Sequence, residues 1–128
     1  MYDRIAFDPS KEAPLVALRF YGGMRIIYHL MLQDPDVEGE ILNEWRNPEE
    51  DPFKPEEEFS IGLTGDGLKF AGLCWHFYIY PNPDISSEEY TISIKITQEG
   101  QEIFNKEYEN TVEKKVKIEK GDAVFVLS

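Results

Sequence analysis

Sulfur and imidazole side chains are scarce in this sequence of 128 residues. Cys74 is the single cysteine, so an intramolecular disulfide framework is excluded and a reducing compartment is favoured. His29 and His76 are the two histidines, and each lies within an apolar run. A zinc site would need carboxylates that the fold brings together, and a thiol buried in an apolar run is usually inert. We therefore expect no cofactor and no activated cysteine.

Basic residues are also few, since 13 Lys and Arg stand against 25 Asp and Glu, a formal net charge of −12. This charge repels nucleic-acid phosphates and anionic lipids, so the expected partner is a protein with a basic surface. No apolar run approaches the ~18 residues of a membrane span, and the first residues lack the basic and apolar regions of a secretory signal. The sequence predicts a cytoplasmic protein, or one whose leader was removed before the first residue.

The motifs of common enzymes are missing from the sequence. It contains no P-loop, no glycine-rich dinucleotide-binding fingerprint, no nucleophile elbow and no HExxH pair. A carboxylate pair for glycoside hydrolysis could be chosen in many ways among 25 acidic residues, so their abundance indicates nothing. We predict that the protein is not an enzyme.

Alternation of apolar and polar residues is the strongest structural signal. In residues 91–98, Ile92, Ile94 and Ile96 alternate with polar residues, which predicts a half-buried antiparallel strand followed by a turn at Glu99-Gly100. Further on, Val116 and Ile118 are expected to face the core, and Lys120-Gly121-Asp122 reads as a turn. About eight or nine short strands, with turn signals every 8 to 12 residues, predict one all-β domain over residues 1–128, an antiparallel β-sandwich or jelly roll.

The negative charge is concentrated between Asp34 and Glu58, where 11 acidic residues stand against Arg46 and Lys54. Within this stretch, residues 46–58 are acidic and proline-rich, a composition that predicts an exposed loop. The first residues of the acidic stretch, Asp34, Asp36 and Glu38 before a glycine, resemble the start of an EF-hand calcium loop. The match fails where the loop should end on a bidentate glutamate, so an ordinary acidic turn is the main interpretation and a calcium site the minor one.

Aromatic residues crowd residues 75–80, and consecutive rings of a strand must point to opposite faces. Trp75 and Phe77 are predicted to be core, which leaves His76, Tyr78 and Tyr80 on the other face, either exposed or covered by a loop. Tryptophan and arginine are common in binding hot spots. The candidate partner-binding residues are Trp45, Arg46, Glu49, Glu50, Asp51, His76, Tyr78 and Tyr80.

These features predict a non-enzymatic protein-binding module, whose acidic stretch steers a partner while aromatic side chains supply buried contact area. It would act as a small inhibitor or immunity-type protein, or as a subunit of a larger assembly, with self-association left open. The alternative is a carbohydrate-binding jelly-roll module that stacks sugars on exposed aromatic rings.

Overall fold

The computed structural model describes residues 3–22, 25–47 and 56–128, and these contain nine β-strands in two packed sheets. The strands, in chain order, are β1 (Asp3–Phe7), β2 (Leu15–Tyr21), β3 (Arg25–Gln33), β4 (Ile41–Arg46), β5 (Glu56–Ser60), β6 (Gly72–Tyr80), β7 (Glu88–Gln98), β8 (Gln101–Val112) and β9 (Lys117–Leu127). The five-stranded sheet has the order β1-β9-β6-β3-β4, and the four-stranded sheet has the order β5-β2-β7-β8. The predicted all-β sandwich is confirmed.

The core lies between the sheets and is built by the period-two alternation seen in the sequence. Ile92, Ile94 and Ile96 of β7 are fully buried, as are Trp75 and Phe77 of β6. Of the strand pairs described, only β1 with β9 is parallel. The hairpin between β7 and β8 is also as predicted, because Glu99 and Gly100 both have positive φ, 50° and 83°, as a tight type I′ turn requires.

The turn predicted at Lys120-Gly121-Asp122 is wrong, because these residues lie within β9, which pairs with β6 from Lys117 to Val124. Gly121 lies opposite Trp75 in that ladder. A Cβ atom added to Gly121 would lie 2.8 Å from the Trp75 ring and 2.7 Å from the Tyr108 hydroxyl. The absence of a side chain at Gly121 therefore lets the backbone of β9 lie close to the Trp75 ring. The glycine does not mark a turn.

The core-facing assignment of Val116 and Ile118 is also wrong. Both are exposed, at 45% and 53%, because β8 extends to Val112 and the chain reaches its turn only at residues 113–116. The alternation in β9 is consequently the reverse of the expected one, and Glu119 faces inward opposite Phe77. There its Oε1 accepts a hydrogen bond of 3.1 Å from the Tyr90 hydroxyl, which satisfies the inward carboxylate.

The acidic proline-rich loop is shorter than the predicted 46–58. Arg46 is the last residue of β4, and Glu56–Ser60 forms the edge strand β5, which pairs antiparallel with β2. Pairing with a neighbouring strand overrides the unfavourable composition of this glutamate run. Residues 48–55 lie outside the described residues. Among the residues that the structure does describe, no helix is long and apolar enough to cross a membrane.

Candidate binding face

The outward-facing side of the five-stranded sheet carries the aromatic residues that the sequence singled out. In β6, Leu73, Trp75, Phe77 and Ile79 are buried, so the residues between them must point away from the core. His76 and Tyr78 are half-buried on this outer face, and Tyr80 at the end of the strand is 38% exposed. The division of β6 into a core side and an outer side is therefore as predicted from alternation.

A row of four basic residues crosses this outer face from strand to strand. The ladder pairs Lys120 of β9 with His76 of β6, His76 with His29 of β3, and His29 with Arg46 of β4. Neighbouring strands are ~4.8 Å apart, so this basic row (Lys120, His76, His29 and Arg46) spans about 14 Å. Lys120 and Arg46 give the two ends of the row their formal positive charge.

One carboxylate partly neutralises the β4 end of the basic row. Glu44 Oε2 lies 2.9 Å from His29 Nε2 and 3.5 Å from an Arg46 guanidinium nitrogen. The hydrogen bond with His29 is the main cause that lowers the pKa of Glu44, and Arg46 lowers it further. Glu44 therefore remains ionised and holds both side chains over the sheet, while Lys120 supplies positive charge at the other end.

Apolar side chains lie directly beside the basic row. Tyr78 is flanked in the ladder by Ile27 of β3 and Ile118 of β9. The rings of Tyr78 and His76 are stacked, with centroids 6.4 Å apart and planes inclined by 16°. Ile118 is 53% exposed, and it lies in the part of β9 before the residues Ala123–Leu127 that pair with β1. The face thus combines an apolar patch with positive charge, a combination common in protein interfaces.

The outward-facing side of the four-stranded sheet has the opposite character. Its described charged residues are six carboxylates and two cations, a net of −4: Glu56, Glu58, Glu89, Glu102, Glu107 and Glu109, with Arg19 and Lys95. The corresponding set on the five-stranded sheet is four cations and two carboxylates, a net of +2 without the histidines: Arg4, Arg25, Arg46 and Lys120, with Glu44 and Asp122. The two faces of the sandwich therefore differ in the sign of their charge.

A scan against family models found no match for this chain, and neither did searches of curated proteins and of solved structures. The residues alone carry the functional argument. Cys74 lies on the outer face opposite Asp122 in the ladder. Burial, and secondarily the Asp122 charge, raises the pKa of the Cys74 thiol, which opposes nucleophilic activation.

The described residues contain no group of three or more His, Cys, Asp or Glu side chains placed to hold a metal ion. In the predicted calcium segment, Asp34 Oδ1 accepts hydrogen bonds from the backbone amides of Asp36 at 2.7 Å and Val37 at 3.2 Å. These bonds form an Asx turn between β3 and β4. The Asp34 carboxylate thus shapes this turn, and calcium binding there stays a prediction.

Trp45 and Arg46 are separated by the pleat of β4. Arg46 belongs to the basic row, whereas the half-buried Trp45 faces inward and stacks on Phe59 of β5, with ring centroids 4.7 Å apart and planes inclined by 19°. This contact joins the open edges of the two sheets, so Trp45 is not beside Tyr78. The other candidates from the sequence, Glu49, Glu50 and Asp51, lie outside the described residues.

Several residues of the face escaped sequence reasoning. His29 and Lys120 complete the basic row, and Ile118 was assigned to the core. Each of these residues lies opposite His76 or Tyr78 on a neighbouring strand. The sequence does not show which residues of distant strands will lie opposite each other, because that register is fixed only when the sheet forms. In β3, Ile26, Tyr28 and Leu30 are all buried, so His29 between them points outward.

Proposed function

We propose that the protein is a non-enzymatic protein-binding module that binds through the outer face of the five-stranded sheet. It would serve as an inhibitor or immunity-type protein, or as a subunit of a larger assembly. The observation that carries this proposal is the juxtaposition of Tyr78, Ile118 and Ile27 with the basic row on one open sheet surface. Exposed apolar patches bordered by polar groups mark interaction sites in many proteins.

The two parts of the face would contribute differently to binding. Tyr78, Tyr80 and Ile118 offer apolar area that leaves water on contact, worth about 25 cal/mol for each Å² buried. Lys120 and Arg46 would govern approach and orientation, so their removal should slow association more than it speeds dissociation.

The partner's charge follows from the face that it touches. The sequence favoured a basic partner because of the acidic stretch, most of whose proline-rich part lies outside the described residues. The basic row instead favours a contact surface that is acidic. One partner could present an acidic surface to the basic row and a basic surface to the acidic turn at Asp34 and Asp36. That turn follows the end of β3, beyond the basic row.

A capture experiment with paired variants tests the proposal. The immobilised protein should retain a partner from its native extract, and Tyr78→Ser with Ile118→Ser should abolish that retention. The matched control is Phe70→Ser with Leu127→Ser, which removes apolar groups exposed at 55% and 45% at positions on neither outer face. A partner that binds both variants equally, or that is lost only from the control, would place the binding surface elsewhere.

The stacked rings of His76 and Tyr78 also favour a second candidate function, the binding of carbohydrate. Sugar rings stack on exposed aromatic faces. Tryptophan fluorescence would report this poorly, because Trp75 is fully buried and Trp45 packs against Phe59. Chemical shifts of the Tyr78 ring protons during addition of glycans provide a direct measurement, and unchanged shifts across a glycan panel would exclude sugar binding at this face.

A further inference from the structure

We infer that copies of this chain associate head to tail, with the outer face of the five-stranded sheet on the outer face of the four-stranded sheet of the next copy. The inference rests on the proposed function, since it assigns a second copy as the protein bound by the face. Its basis is the charge of the two faces, +2 and −4 among the described residues. Two like faces repel each other, whereas unlike faces attract.

The positive and negative groups are clustered, which gives the contact a preferred orientation. Glu107 and Glu109 of β8 point outward two residues apart, and Glu89 lies beside them on β7. We call these three residues the acidic corner. In contrast, Glu56 is paired with Arg19 at 3.5 Å, so it is less available to a partner. The acidic corner is therefore the natural counterpart of the basic row.

Apolar groups accompany the charges on both faces. Beside the acidic corner, Tyr21 occupies the same cross-strand row as Thr91 and Glu109, and its side chain is 55% exposed. On the other face, Tyr78 and Ile118 lie one row from Lys120 and His76. Each surface thus offers exposed apolar area next to its charged cluster, as an interface core and rim require.

The area of the sheet is sufficient for a modest interface. The five strands have between 5 and 11 residues. With strands ~4.8 Å apart and a rise of ~3.4 Å per residue, the face measures roughly 600 Å². Two such surfaces bury about 1,200 Å², which is at the lower end of specific interfaces. We therefore expect a reversible association at high micromolar concentration. Because the contact joins unlike faces, it does not close as a two-fold dimer and can extend beyond two copies.

The total charge of −12 opposes association at long range, and this produces a characteristic salt dependence. At low ionic strength the copies repel as whole molecules. Near 0.15 M salt the Debye length is ~8 Å, so that repulsion is screened more strongly than ion pairs in contact. Association should be strongest at intermediate ionic strength and fall at about 1 M salt.

Sedimentation velocity on the full chain and two blocked variants tests the inference. Tyr78→Ser with Lys120→Ser blocks the five-stranded face, and Glu107→Lys with Glu109→Lys blocks the four-stranded face. All four positions lie on the outer surfaces of strands, and circular dichroism verifies that each variant is folded. Wild-type protein should form a concentration-dependent series of oligomers, and each variant alone should lose at least tenfold in association constant. An equimolar mixture should form a dimer and nothing larger, because only one competent pair of faces remains.

Other outcomes overturn the inference in distinguishable ways. A wild-type protein that stays monomeric to about 0.5 mM at every salt concentration excludes self-association. Association that survives in either variant alone indicates a symmetric contact between like faces. If the chain is monomeric but still captures a different protein that Tyr78→Ser with Ile118→Ser releases, the binding function stands and only the self-association fails.

Discussion

Replacement of Gly121 by alanine should destabilise the protein strongly. The new Cβ would lie 2.8 Å from both Trp75 Cζ2 and Trp75 Nε1, and 2.7 Å from Tyr108 Oη. Trp75 is fully buried and its Nε1 donates a hydrogen bond of 2.8 Å to that hydroxyl, so the ring cannot move away without breaking the bond. The added methyl group therefore overpacks the site, and relief of the contact breaks this bond or displaces the backbone of β9.

The magnitude follows from two contributions. Overpacking of a buried site costs about 1–3 kcal/mol. Loss of the hydrogen bond between Trp75 and Tyr108 adds about 0.5–1.5 kcal/mol. We therefore expect Gly121→Ala to lower the free energy of unfolding by about 2–4 kcal/mol, a large part of the 5–15 kcal/mol typical of a domain.

Urea unfolding followed by tryptophan fluorescence measures this loss, and Gly72→Ala in β6 is the matched control. Gly72 has no atom within 4 Å of its added Cβ, so its replacement should change stability by less than about 1 kcal/mol. In a Trp75→Phe background, Gly121→Ala should cost clearly less, because the atoms that it meets are gone. Equal losses for Gly121→Ala and Gly72→Ala, or no coupling to Trp75, would refute the close-approach argument.

Three further predictions concern the core and the sheet edges. Ile94→Asp should abolish cooperative unfolding, because it places a charge at a fully buried position, and a soluble variant with a sigmoidal melt would contradict this. Burial, with a smaller effect of Glu57, raises the pKa of Tyr28 to about 12. The unfolded chain therefore loses this proton first, and stability should fall by about 1.4 kcal/mol per pH unit from about pH 10 to 12, less steeply in Tyr28→Phe. Trp45→Ala should cost about 2–4 kcal/mol by removing the stack on Phe59, and a loss below 1 kcal/mol in a urea titration would show that the contact is dispensable.

The parts of the fold that were predictable from sequence are those governed by local alternation. Residues Ile92, Ile94 and Ile96 alternate with polar residues, and a strand is the simplest way to bury all three. The same alternation assigned Trp75 to the core side of its strand and Tyr78 to the outer side. Neither inference needed any information about neighbouring strands.

The parts that were not predictable depend on contacts distant in sequence. Gly121 is flanked by lysine and aspartate and has the composition of a turn, yet its role is set by Trp75 on another strand. Glu119 faces inward through the register of β9, and Tyr90 of the opposite sheet donates a hydrogen bond to it. The basic row has the same origin, since no local pattern places Lys120 opposite His76.

Gly121 also connects the core to the candidate binding face. The close approach at Gly121 fixes the distance between β9 and the Trp75 side of β6, and its neighbours Lys120 and Asp122 then lie opposite His76 and Cys74. A core contact thereby sets the position of one end of the basic row. If Gly121→Ala leaves the protein folded but shifts β9, Lys120 should move away from His76, and association that depends on the row should weaken. Unaltered association in a destabilised Gly121→Ala variant would show that the row is positioned by the ladder hydrogen bonds alone.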